Sequence, residues 1–393
     1  MLVANVIAML IVLGCAVYQY QKGSLVQSFA TLVISICATA AAFGYFEVAT
    51  GLLVGSGDKS RIGGLTPWAS CLSFAMIFVV LFALLQTAIV HVLRKPVDLG
   101  VLPERAGRII CGLLMGLVCS GVLITTLIMA PLPAKYPYPR FDDGKVNIES
   151  PATVMLNVDG FATGWGNLLS AGSFSGKTSF AALHPRFLDQ IYLNRLGVAD
   201  HVSLITTSDA IQLPKKGEDG KIAAVWAAPD GMKSSNGEAL ISKSGHTLTI
   251  VRFGFKKRTV GDAGRFTLSQ VRLICRAKTD TANVLVGTAQ DAYAIGYVTA
   301  ENQFKVGRLN EVVQLKNTDF VPKTNVRWMD FGFYVPNDSV AVLLGFKQNV
   351  LLELPSPIAT DEAPAAVPFE GKSGKQKTDD EPKKKRPGRK SNR

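Results

Sequence analysis

The sequence predicts a membrane protein with two physically different parts, a bundle of four transmembrane helices followed by a mostly β soluble domain and a disordered basic tail. The first observation is charge: 18% of the 393 residues are charged, but the first 134 residues contain only eleven of them. The second is the series of short β-branched and aromatic runs that begins near residue 240. A soluble enzyme with a single core is excluded by this division.

The membrane part is predicted from four uncharged runs of 21, 24, 32 and 26 residues. A bilayer core of about 30 Å needs about 20 apolar residues of helix, so each run can cross once. Water cannot hydrate the backbone at that depth, which requires helices there. The predicted spans are Leu2–Tyr18, Leu25–Phe46, Trp68–Val90 and Ile109–Met129.

The first span also contains a sequence similar to a lipoprotein cleavage site, ending at Cys15. A signal peptide needs basic residues before its apolar run, and none precedes this one. We therefore predict an uncleaved first helix.

Small residues recur every four positions on the fourth helix, at Gly112, Gly116 and Ser120. Such a stripe lets another helix backbone approach closely. It predicts a packing face, either within the four-helix bundle or between two copies of the chain.

Ionisable groups in the middle of a membrane usually mark transport pathways. Here Glu47 and His91 lie at the ends of predicted helices, and Asn5, Gln27 and Gln86 are only polar. The pattern favours interfacial or interhelical hydrogen bonds over a pore.

The membrane part resembles a known family. Its first connection is the short segment Gln21–Gly23, and a Leu-Gly pair, an acid-Arg pair and spaced glycines lead into the last helix, at Asp98, Leu99, Gly100, Glu104, Arg105, Gly107, Gly112 and Gly116. In these features the N-terminal third resembles the CvpA family, the colicin V production proteins. Glu104 replaces the commoner aspartate, and the Gly107 to Gly112 spacing is one residue longer than usual. The resemblance implies a bacterial inner-membrane protein linked to export or envelope stress, without a known cofactor.

The soluble part is predicted to be an immunoglobulin-like β-sandwich because seven or eight strand-like runs alternate with turn residues. One helix is predicted at Pro185–Leu196 from its apolar spacing. The predicted domains are 1–134 (membrane), 135–239 (spacer and a connecting region packed on the sandwich), 240–355 (sandwich) and 356–393 (tail). The predicted strands are Thr153–Val158, Thr247–Phe255, Phe266–Arg276, Ala282–Val286, Ala292–Val298, Glu311–Leu315, Val326–Val335 and Ser339–Phe346.

Two parts of the sequence partly resemble catalytic motifs. Ala171–Thr178 has the loose form of a P-loop, with Lys177 and Thr178 in the phosphate and magnesium positions, but lacks a buried strand before it. A serine protease would need a glycine turn around its serine, which neither Ser173–Gly176 nor Ser244–His246 provides. The sequence therefore predicts no enzyme, cofactor or metal site.

The tail from Gly371 to Arg393 carries ten basic and three acidic residues, out of a net chain charge of +12. It cannot bury enough apolar surface to fold. Its basic run is predicted to bind polyanions, either acidic lipid or nucleic acid, through Lys383, Lys384, Lys385, Arg386, Arg389 and Lys390.

Together these features favour a membrane anchor that holds an extracytoplasmic β-domain for scaffolding or sensing in the envelope or in export. Two other functions remain open: a small transporter or channel with a regulatory domain, and a membrane-tethered hydrolase with an unrecognised site. The expected partners are the lipid bilayer, a second copy of the chain and an envelope protein or acidic lipid.

Membrane orientation is the first testable prediction. The connection between helices three and four is dense in basic residues, with Arg94, Lys95, Arg105 and Arg108. Such loops stay in the cytoplasm, which places both termini and the β-domain outside. Alkaline phosphatase fused after Arg393 should be active and a green fluorescent protein fusion dark. The opposite pattern would place the tail in the cytoplasm and make nucleic acid an accessible partner.

Overall fold

A computed structural model describes residues 1–21, 24–56, 60–92, 100–141, 146–171, 179–218, 220–240, 243–259, 264–278, 289–322 and 324–369. Its N-terminal part contains four helices that are long and apolar enough to cross a membrane. The four predicted spans are thereby confirmed. The helices are α1 (Leu2–Gln21), α2 (Leu25–Val54), α3 (Ala69–Val92) and α4 (Val101–Met129).

Helix α2 is longer than its predicted span and extends eight residues beyond Phe46. It begins with a capping box, in which the Ser24 side chain accepts from Gln27 N and the Gln27 side chain accepts from Ser24 N. It ends at Gly55, whose φ of 74° is a backbone conformation that favours glycine. Thirty helical residues span about 45 Å, more than the bilayer core, so α2 also reaches the soluble part.

The small residues of α4 lie inside the bundle. A Cβ atom built at Gly112 would be 2.7 Å from Ala16 Cα, and one at Gly116 would be 2.6 Å from Val12 Cα. Both glycines therefore let α1 and α4 pack backbone to backbone. Ser120 donates its hydroxyl to Gly116 O at 2.7 Å, within its own helix.

The described residues of the connecting region form three more α-helices, α5 (Val158–Ala171), α6 (Phe180–Leu183) and α7 (Phe187–Asn194). The predicted helix at Pro185–Leu196 is found as α7. The strand predicted at Thr153–Val158 is wrong, because these residues form a 3₁₀ turn and the start of α5. Helix α5 packs on the bundle instead of the β-domain, with Val158 against Gly121 of α4 and Gly166 against Phe43 of α2.

The soluble part is mostly β, as predicted, and its strands form a ten-stranded, nearly closed sheet and a separate pair. The sheet runs in the order β1-β4-β10-β7-β6-β11-β12, while β2 pairs with β4 and β8 pairs with both β3 and β7. The separate pair is β5-β9. The strands are β1 (Ile211–Gln212), β2 (Val225–Ala227), β3 (Lys233–Ser234), β4 (His246–Lys256), β5 (Arg265–Thr267), β6 (Val271–Ala277), β7 (Gln290–Ala300), β8 (Gln303–Val306), β9 (Val312–Gln314), β10 (Val326–Pro336), β11 (Ser339–Phe346) and β12 (Val350–Glu353).

Aromatic side chains fill the core of this domain. Phe253 stacks on Phe331 at a centroid distance of 4.7 Å, and Phe255 stacks on Phe266 at 5.0 Å. The alternation of apolar and polar residues in β4 and β10 directs these rings inward. The immunoglobulin-like type of the domain is not confirmed, since the main strands belong to one nearly closed sheet.

The β-domain extends beyond the predicted limits of residues 240 and 355. Strands β1 and β2 already pair with β4. After the last strand, Ile358 N donates to Val225 O at 2.9 Å and Phe369 is buried in the core. The segment 356–369, predicted to be disordered, therefore packs on the sheet. The predicted strand Ala282–Val286 and the six basic tail residues lie outside the described residues.

Packing of α1 on α4 gives the second prediction. Gly116→Leu should destabilise the bundle by about 1–3 kcal/mol, because the added side chain overlaps the backbone at Val12. The matched control is Gly14→Leu, since a Cβ at Gly14 has no atom within 4 Å. Unfolding of the purified chain in detergent measures both. Equal stability of the two variants would contradict this packing.

Candidate functional site

Helix α7 lies at the junction between the bundle and the β-domain, and all eight of its residues are buried. A buried helix end must have its carbonyl groups satisfied by other parts of the chain. Here Ser269 donates its hydroxyl to Leu193 O at 2.8 Å, and Gln270 donates its amide to Asn194 O at 3.0 Å. Both donors immediately precede β6, so the β-domain completes the end of α7.

Five polar side chains, one of them from α7 itself, meet at this junction, and we refer to them as the junction cluster: Glu47, Gln190 of α7, His184, Arg272 and Asp291. Glu47 comes from the membrane helix α2, and its carboxylate is 2.9 Å from His184 Nε2. Arg272 of β6 lies 3.3 Å from the other ring nitrogen and donates to Asp291 of β7 at 2.6 Å. The cluster therefore connects a transmembrane helix to two strands through a chain of polar contacts.

The ring of His184 is held in one orientation. A carboxylate only accepts, so Nε2 donates to Glu47. The other ring nitrogen, Nδ1, lies 2.7 Å from Gln190 Oε1 and 3.3 Å from the guanidinium of Arg272. Phe180 and Phe187 pack around the ring at centroid distances of 5.1 and 5.3 Å. The imidazole thus has both polar and apolar neighbours that restrict its rotation.

A second group of polar side chains contacts α7 through Asp189. Arg140 donates to Asp189 of α7 at 2.6 Å and to the Tyr138 hydroxyl at 3.1 Å, and that hydroxyl donates to Asp159 of α5. Burial and then the charge of Asp159 raise the pKa of Tyr138, which keeps its hydroxyl protonated as a donor. The proline-rich segment predicted to be a spacer is therefore packed between helices.

Arg195 follows α7 and is fully buried. Its guanidinium donates to four carbonyl oxygens at and beyond the end of α4, those of Ile128, Leu132, Pro133 and Tyr136, at 2.5 to 3.1 Å. Burial lowers the pKa of Arg195 to about 10, so the group is still charged at neutral pH. It stabilises the negative end of the helix dipole of α4.

None of the described residues of the catalytic motifs belongs to the junction cluster. Residues 172–178 of the P-loop-like motif lie outside the described residues, and the preceding segment is helix α5 where a P-loop needs a strand. His246 bonds the carbonyl of Ser244 in the turn before β4. Gly112, Gly116 and Ser120 lie between bundle helices, far from α7 in the chain.

Sequence reasoning noted Glu47 only as an interfacial group and did not single out Gln190, Arg272 or Asp291. One feature of the sequence pointed to Glu47 as a site residue, because it is the only acid in the first 57 residues. Its partner His184 follows 137 residues later. No local spacing joins residues so far apart.

The chemistry available at the junction is hydrogen bonding and ion pairing. Cys275 lies on β6, three residues after Arg272, and burial together with the charge of Asp291 raises the pKa of its thiol to about 12, so it is not a thiolate at neutral pH. Among the described residues, no three His, Cys, Asp or Glu side chains are grouped to hold a metal ion.

No family model matches the chain, and neither a curated protein nor a solved structure matches it. The resemblance to colicin V production proteins consequently stays a prediction.

The Arg195 site gives the third prediction. Arg195→Lys should destabilise the protein by about 3 kcal/mol or more, because one ammonium group cannot reach four carbonyls spread over nine residues. Arg186→Lys is the control, since that side chain is 48% exposed and should change stability by less than about 0.5 kcal/mol. Unfolding in detergent by increasing dodecyl sulfate compares the two. Similar losses would show that Arg195 is not a specific cap.

Proposed function

We propose that this chain is an integral membrane scaffold that holds its β-domain in a fixed orientation on a four-helix anchor and presents it to a partner. The observation that carries the proposal is the junction cluster, in which Glu47 of α2 is linked through His184 to Arg272 of β6.

A domain that is only tethered needs a hydrated, flexible linker. Here the connecting segment is buried at Tyr138, and α7 is enclosed by elements of both parts. Arg272 and Asp291, whose side chains are 3% and 1% exposed, form an ion pair where the two parts meet. Buried polar contacts are directional, and breaking one leaves an unpaired charge, so they favour a single arrangement of the two parts.

The same coupling suits a sensor as well as a scaffold. A tilt of α2 within the bilayer would move Glu47 and hence the contact between His184 and β6. The proposal includes the finer features expected from the sequence: a bacterial inner membrane, an extracytoplasmic β-domain, a role of the colicin V production type in export or the envelope, and self-association of the chain. The basic tail would add contacts to acidic lipid.

Photocrosslinking in native membranes tests the proposal. A photoreactive amino acid at Lys233 or Gln314, both exposed on the β-domain, should capture a discrete protein partner. The matched controls carry it at Val80 or Leu84, which are 48% and 62% exposed on α3 and should contact lipid alone. The same adduct from both β-domain positions, and from neither α3 position, is the expected result.

Two outcomes would favour the other functions. Solute flux through liposomes that contain the full-length chain would indicate a transporter or channel. Turnover of ester or peptide substrates by the purified chain would indicate a hydrolase. The scaffold proposal predicts neither, and the absence of any adduct from the β-domain would contradict it.

A further inference from the structure

A basic cavity opens at one end of the β-domain, where β1, β4 and β10 meet. Its volume is about 940 Å³, within the range of small-molecule sites. Four cationic side chains line it, namely Lys215, Lys256, Lys257 and Arg258. The described lining residues include no acid, and Asp209 pairs with Lys256 and Arg258. Among the described residues, the four cations of the lining outnumber this one paired carboxylate, so the described lining carries a net positive charge.

The cavity also has an aromatic wall. Trp328 of β10 lies opposite Gly254 of β4, and a Cβ atom at Gly254 would be 2.8 Å from the indole ring. The missing side chain at Gly254 allows the ring to lie against the strand. Indole rings prefer the boundary between water and the apolar part of a membrane.

A hydrogen bond and an ion pair place this cavity close to the end of the membrane helix α2. Ser208 N donates to Gly55 O at 3.4 Å, immediately after α2 ends. The next residue, Asp209, pairs with Arg258 at the cavity. Near the same end of α2, Leu52 and Trp68 are exposed, as expected for side chains at a membrane interface.

We propose that this cavity binds the phosphate-bearing headgroup of an anionic phospholipid. Several cations that converge on one cavity suit a phosphate, and each Lys or Arg near an anionic membrane adds to the attraction. In this complex, Trp328 packs against the glycerol and the upper acyl chains of the phospholipid. The site is separate from the basic tail and from the junction cluster.

A soluble phosphate compound offers the same charge, and a nucleic acid offers many such charges. The connection through Ser208 to α2 favours the lipid, because it places the cations beside the headgroup layer. A phospholipid, a soluble phosphate compound and a nucleic acid can be distinguished by which added competitor displaces the bound molecule.

Native mass spectrometry of the full-length chain in detergent tests the proposal with added phosphatidylglycerol and phosphatidylcholine. The double variant K215E/K257E reverses two exposed cations that form no ion pair with described residues. We expect it to bind phosphatidylglycerol at least about tenfold more weakly than the unmodified chain. The matched control K233E/K243E reverses two exposed lysines that do not line the cavity and should bind like the unmodified chain.

The tail is present in all three proteins, so it cannot cause a difference between them. Equal phosphatidylglycerol binding by both double variants, or equal binding of phosphatidylcholine by the unmodified chain, would overturn the proposal. Displacement of the lipid by equimolar glycerol 3-phosphate would assign the cavity to a soluble phosphate compound instead. Displacement by a short oligonucleotide at the same concentration would assign it to nucleic acid, which also overturns the lipid site.

Discussion

The complete burial of α7 is the constraint on which the arrangement of this protein depends. A short helix with no face open to water must have partners for its polar side chains and for both of its ends. The β-domain supplies Ser269 and Gln270 to its last carbonyls, and the segment after α4 supplies Arg140 to Asp189. The β-domain and the segment that follows the bundle therefore both bind α7. Neither can move relative to this helix without breaking these hydrogen bonds.

Charged groups at the junction contribute to orientation more than to net stability. Burying an ion pair such as Arg272 with Asp291 costs desolvation energy that its Coulomb attraction only partly repays. Apolar packing therefore provides most of the stability, through rings such as Phe43 and Phe46 of α2 and Phe74 of α3. The directional contacts of the junction cluster favour one arrangement of the apolar surfaces over the others. That division suits a protein whose role depends on how its β-domain is presented.

The candidate site could be predicted only in fragments. Glu47 was recognisable as an isolated acid at the end of a span, and its interfacial character agrees with its contact to His184. Arg272 stands between the apolar residues Val271 and Leu273, an alternation typical of a solvent-facing position, whereas its side chain is 3% exposed and pairs with Asp291. A charge in an alternating strand looks solvent-facing until another element covers that face. The partners are 88 and 19 residues from Arg272, beyond any local pattern.

The sequence by itself determined the four spans and most of the long strands, because their signals are local: about 20 uncharged residues for a span and alternation every second residue for a strand. Tertiary structure decided the rest. Helix α5 contains three glycines, which disfavour a helix, yet one of them, Gly166, lets Phe43 pack directly on its backbone. The order of the ten strands, the packing of residues 356–369 and the junction cluster all depend on contacts between distant segments. Such contacts are chosen by how buried surfaces and polar groups fit together, and no window along the chain contains that information.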